Sequence, residues 1–159
     1  MKRSLLCLLL APMMLLAGQE TAPEGFEHWT STSLKDLSLL LSEQAAADPH
    51  HFAVKQLADF PNESFLFVRR QSDGAVEWHE NQIDIFLVES GSATLLIGGT
   101  YLNGETVGPH EKRNGTIQGG TRVKLSPGDV VRIPPRVPHQ VLLDGAQEFT
   151  YFVVKGKGY

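Results

Sequence analysis

The sequence predicts an all-β fold, a single antiparallel barrel or sandwich with one short N-terminal helix. Two observations predict it. From about residue 65 onward the apolar residues fall in short runs, each bounded by turn-forming Gly, Pro, Asn, Asp or Ser, as strands at close spacing do. Only one stretch, residues 34–47, repeats its leucines at helical spacing. A chain of 159 residues suits one compact domain rather than two.

The first stretch stands outside that domain. Lys2 and Arg3 precede an almost uninterrupted apolar run, Leu5 to Leu16, and small residues Ala17 and Gly18 precede polar Gln19 and Glu20. That layout predicts a secretory signal peptide over residues 1–18 and an exported protein, periplasmic or secreted. The competing reading, a retained anchor, asks for a longer apolar run. A lipoprotein leader is disfavoured, because Gln19 stands where the lipidated cysteine belongs. Cys7, the sole cysteine, lies within the run, so the mature chain has no disulfide, thiol nucleophile or thiolate ligand. Loss of Lys2 and Arg3 takes the formal charge from −4 to −6, and the pairs Arg69-Arg70 and Lys112-Arg113 are isolated. Nucleic acid and an anionic membrane surface are therefore poor partners.

Residues 19–32 are polar, hold Pro23 and Gly25, and read as a flexible lead-in to a domain over 33–159. Ser33 reads as a helix cap, with Asp36 in the favourable first turn. Leu34, Leu37, Leu40 and Leu41 share a helical face, and Asp48-Pro49 ends the helix at about Ala47. Strands are predicted over 65–70, 75–79, 84–88, 93–97, 122–125, 130–133, 139–143 and 149–154. Turn residues such as Ser72-Asp73-Gly74, Ser126-Pro127-Gly128-Asp129 and Asp144-Gly145 separate them. Residues 101–121 hold five glycines and read as a long hairpin or loop inserted at the barrel mouth.

Two regions carry chemistry. Glu77 and His79 are two apart, so on a strand their side chains leave one face. Asn81-Gln82 can turn the chain and bring Asp84 back near His79 on a neighbouring strand. The second region runs from Gly128 through Pro134, Pro135 and Pro138 to His139, which opens a strand with His139, Val141 and Leu143 on one face. Each candidate also has a plainer role. Glu77 as a surface carboxylate, the histidines as hydrogen-bonded barrel residues and Asp84 as a turn cap are the alternatives. Trp78 reads as outer-face packing, His110 as a solvated loop histidine and Arg132 as facing away from the core.

These two regions resemble the two sequence motifs of the cupin superfamily, and the resemblance covers roughly residues 65–154. Glu77 stands at the first motif's first histidine, His79 at its second, Asp84 at its glutamate and Gly91 at its closing glycine. In the second motif Gly128, Pro134 and His139 keep the spacing, while Arg136 replaces the inner glycine and Leu143 the final asparagine. The resemblance implies a cupin-type barrel, a double-stranded jelly roll, that binds a divalent transition metal through Glu77, His79, Asp84 and His139. Mixed imidazole and carboxylate donors suit iron(II), manganese(II), zinc or nickel. Asp84 is one methylene shorter than the family's glutamate, which leaves open whether it binds directly or through water.

The resemblance implies a metal-dependent enzyme acting on a small molecule in the barrel mouth, of dioxygenase, lyase or isomerase type. The alternative is a non-catalytic module that binds a small ligand. Self-association into a homodimer through sheet faces or edges is a third expectation. No residue of the sequence identifies a catalytic acid, base or nucleophile, and no Gly-x-Ser-x-Gly elbow of a serine hydrolase is present.

Overall fold

A computed structural model describes residues 22–159 of the chain. The predicted signal peptide lies outside the described residues. Helix α1, Ser31–Ala47, opens the described fold and thirteen strands follow it. They are β1 Phe52–Asp59, β2 Glu63–Arg70, β3 Glu77–His79, β4 Gln82–Gly91, β5 Ala93–Ile97, β6 Thr100–Leu102 and β7 Glu105–Gly108. The remainder are β8 Glu111–Arg113, β9 Thr116–Gln118, β10 Thr121–Leu125, β11 Val130–Ile133, β12 His139–Leu142 and β13 Phe149–Lys157.

Eleven of these strands form two facing sheets, ordered β1-β2-β13-β4-β11 and β10-β5-β12-β3-β8-β7, β6 and β9 pair separately, and every pairing is antiparallel. Alternation places one face of each strand between the sheets. Val68, Phe86, Leu95, Ile133, Val141 and Phe149 make up much of that buried interior. The order skips along the chain, so consecutive β3 and β4 belong to opposite sheets. This corrects the expectation that Asp84 lies on a strand next to His79. The Glu80-Asn81 link crosses between the sheets instead of folding a hairpin within one.

The helix covers the outer face of the first sheet. It begins at Ser31 rather than near Ser33, because Thr30 Oγ1 caps it by accepting from the Ser33 N–H at 3.1 Å. Leu41 and Ala45 pack against Ala53 and Phe67, with Leu34 and Leu37 beside them, whereas Leu40 is half exposed. Trp29, Phe65 and Phe152 extend this outer cluster at ring-centroid spacings of 5.2–6.2 Å. Strand β1 was absent from the sequence-based set. Its mixed burial, with Val54 exposed, lacks a clean period of two.

The insertion at 101–121 is built of nested hairpins. Strand β6 pairs with β9, and inside them β7 pairs with β8. Strand β8 also pairs with β3, setting Arg113 opposite Glu77 and Glu111 opposite His79. The insertion thus extends the second sheet beside the candidate ligands. Among the described residues, no helix is long and apolar enough to cross a membrane.

Candidate metal centre

Three strands bring the four predicted donors together. Strand β3 turns Glu77 and His79 inward, β12 carries His139 directly opposite Glu77, and β4 supplies Asp84 from the facing sheet. One donor atom from each of Glu77, His79, Asp84 and His139 lies within 4.8 Å of the other three. Asp84 is 2 % exposed, and both histidines are buried. Glu77 is largely buried, not a surface carboxylate.

Backbone constraints fix this geometry. Gly91 has φ +75°, and a Cβ there would stand 2.2 Å from the Glu148 carbonyl oxygen. Only glycine fits, which explains the closing glycine of the first motif. Arg136 takes φ +64° where the family's second motif has glycine. Its N–H donates to the His79 carbonyl at 2.7 Å, tying the proline-stiffened segment before His139 to the end of β3. An arginine in this left-handed region carries a strain of roughly 1 kcal/mol.

The histidine nitrogens have defined roles. His139 Nδ1 is 3.1 Å from the Val137 carbonyl, which can only accept, so Nδ1 donates there and Nε2 is the nitrogen turned to the cluster. That Nε2 is buried without a hydrogen-bond partner and faces Asp84 Oδ2 at 3.5 Å. His79 Nε2 also turns inward, 3.4 Å from Asp84 Oδ2 and 3.6 Å from Glu77 Oε2. Its Nδ1 faces Glu111 Oε1 at 3.9 Å, too far for a hydrogen bond, and has no partner.

Lys155, which the sequence did not single out, completes the cluster. Register places it opposite Asp84 on β13. Its Nζ donates to Asp84 Oδ1 at 2.9 Å and Oδ2 at 3.0 Å, and to His79 Nε2 at 3.2 Å. Alternation along Phe149, Tyr151, Val153 and Lys155 was the available signal for an inward lysine.

Two arginines enclose the other side. Arg70 Nη2 is 3.6 Å from Glu77 Oε1, and Arg113 Nη2 is 3.3 Å from Glu77 Oε2. Arg70 Nε donates to the Tyr151 hydroxyl at 3.0 Å, and Arg113 Nε donates to Glu111 Oε1 at 2.8 Å. Burial pushes the Glu77 carboxyl up, but His79, Lys155 and Arg113 outweigh it and hold the group below the usual carboxylate range. Burial likewise opposes the charge on Asp84, and His139, His79 and Lys155 overcome it, keeping Asp84 well below its ordinary value. For His79 burial lowers the pKa, while Asp84 and Glu77 raise it and prevail.

A cavity of about 180 Å³ adjoins the cluster. Arg70, Glu77, Asp84, Arg113 and Lys155 line its polar side, and Phe52, Val54, Leu66, Phe86 and Val153 its apolar side. The other singled-out residues keep outside roles. His110 is exposed and bonds Glu80 at 2.7 Å, and Arg132 is exposed. Trp78 is partly buried beneath the Lys112 ammonium.

No protein-family model and no curated protein matches the chain. Solved structures do. A double-stranded β-helix protein from Klebsiella pneumoniae aligns over 67 % of this chain and 77 % of its own, at 16 % identity and a TM-score of 0.51. KdgF from Halomonas sp. aligns over 70 % and 83 %, at 19 % identity and a TM-score of 0.50. The cupin domain of Cnp3 from Schizosaccharomyces pombe aligns over 67 % of this chain and 63 % of that domain, less than two thirds of it, at 11 % identity and a TM-score of 0.48. The fold is the double-stranded β-helix of cupins, all-β with one N-terminal helix. Its buried His, Asp and Glu cluster is compatible with a metal site.

Proposed function

We propose that this protein is a metal-dependent cupin enzyme that binds one divalent transition metal through Glu77, His79, Asp84 and His139 and acts on a small molecule in the adjoining cavity. The single observation that carries the reading is His139 Nε2, a buried ring nitrogen with no hydrogen-bond partner, aimed at the space shared with His79 Nε2 and two carboxylates. Such an atom is costly unless something ligates it. The Val137 carbonyl fixes the tautomer of His139 from behind, as outer-shell partners of metal-bound histidines do. The donor set, two imidazoles and two carboxylates, fits iron(II), manganese(II), nickel or zinc.

When bound, such an ion supplies Lewis acidity and open coordination positions for a substrate. The chain's own groups do the rest. Arg70 and Arg113 orient the two oxygens of Glu77, each from its own side. The Tyr151 hydroxyl steadies Arg70, and Phe52 packs under its guanidinium at 4.5 Å. The apolar wall excludes water from one side of the cavity and selects a small ligand with an apolar part. Exported localisation belongs to the same reading, because residues 1–18 have the layout of a cleaved leader.

Elemental analysis of protein purified from its own compartment tests the proposal. One equivalent of a transition metal, lost in His139→Ala, is the expected result. Metal-free protein that is stabilised by a small ligand without turnover would instead assign it as a binding module.

A further inference from the structure

We propose that Lys155 is a resident cation of the donor cluster, and that a divalent metal enters only by displacing its ammonium group. The inference rests on the metal-site reading above and concerns what this chain places in that site before the metal arrives.

The geometry carries it. Lys155 Nζ already bonds both Asp84 oxygens and His79 Nε2, at 2.9–3.2 Å. A neutral imidazole nitrogen has one lone pair, so His79 Nε2 cannot accept from the ammonium and ligate a metal together. The competition is therefore for the same electrons and not for nearby space alone. Charge leads to the same conclusion. Arg70, Arg113 and Lys155 face Glu77, Asp84 and Glu111, three cations against three carboxylates within one partly enclosed cluster. A dication added beside the ammonium would leave the cluster with excess positive charge in a poorly solvated place, where like charges repel strongly. Withdrawal of Lys155 relieves both conflicts. Lys155 lines the adjoining cavity, and its flexible four-carbon stem lets the head retreat there.

Two roles follow. In the metal-free protein Lys155 holds Asp84 ionised and the two sheets joined across the site, because the pair spans β13 and β4 and its ammonium reaches β3. Towards metals it sets an affinity threshold, so that only an ion gaining more from the donors than the ammonium does is retained.

Calorimetric titration of metal-stripped protein with zinc chloride and manganese chloride tests this in wild type, Lys155→Met and Lys155→Gln. Methionine keeps an unbranched apolar stem without the charged head, and glutamine keeps a neutral donor for Asp84 if the methionine variant folds poorly. The neutral variants should bind metal at least about tenfold tighter than wild type. Thermal melts without metal should show the opposite order, with Lys155→Met melting several degrees lower, and metal should restore it. Metal binding to the neutral variants but not to wild type would show that Lys155 occupies the donors, and would overturn metal entry by displacement and the metal-site reading for the native protein. Equal or weaker binding in both variants, with wild type binding normally, would overturn the role of Lys155 and leave the metal site standing. No binding to any of the three would overturn both.

Discussion

Asp84 is the most constrained residue of the site, a buried carboxylate whose charge survives because Lys155 and two imidazoles surround it. Glu77 and Asp84 both have folded pKa values below their ordinary ones. Such groups stabilise the fold above their unfolded pKa, and that stability is lost as the pH falls towards the folded value. The metal-free protein should therefore lose stability progressively below about pH 4. His79, with its pKa raised, contributes the opposite slope, a stability lost as the pH rises through its folded value. In Asp84→Asn, denaturant melts should show a shallower acid slope. They should also show about 3 kcal/mol less stability at pH 7, because Lys155 is left without its counter-charge. An unchanged acid slope would place the acid-sensitive carboxylates elsewhere. That Glu77, His79, Asp84 and His139 gather in one place was legible in the sequence, because they sit at strand spacing within two motif-like segments. Lys155 was not legible, because the apolar residues of its strand lie on both faces and a lysine near a strand end ordinarily faces water.

The elements show the same division between local and long-range information. The turn residues at Ser126-Pro127-Gly128-Asp129 and Asp144-Gly145 and most strands were legible, since turn chemistry and alternation are local. That β3 and β4 lie in opposite sheets was not, because sheet membership depends on long-range pairing that no local pattern records. The helix was legible in extent, but its leucine stripe was drawn too wide. Leu41 is fully buried between the helix and the first sheet, whereas Leu40 is half exposed. Urea melts should show Leu41→Ala to cost about 3 kcal/mol through lost burial and a cavity. Leu40→Ala should cost under about 1 kcal/mol. Similar losses at both positions would mean that the helix rotates relative to the sheet.

At the scale of the whole molecule the facing sheets frame the candidate site, which lies where β3, β4, β12 and β13 converge. Export is tested independently. Mass spectrometry of the exported protein should find an N-terminus between Gly18 and Ala22, and an intact Met1 species held in the membrane would contradict cleavage. The frame's central claim is that donors from opposite sheets close on one divalent ion. Calorimetric titration of the metal-stripped wild type with manganese, iron(II), nickel and zinc, repeated on His139→Ala, tests it most directly. The account predicts one site per chain in the wild type for at least one of these ions, and no binding in His139→Ala. Equal affinity in the two proteins, or no binding to the wild type, would contradict it.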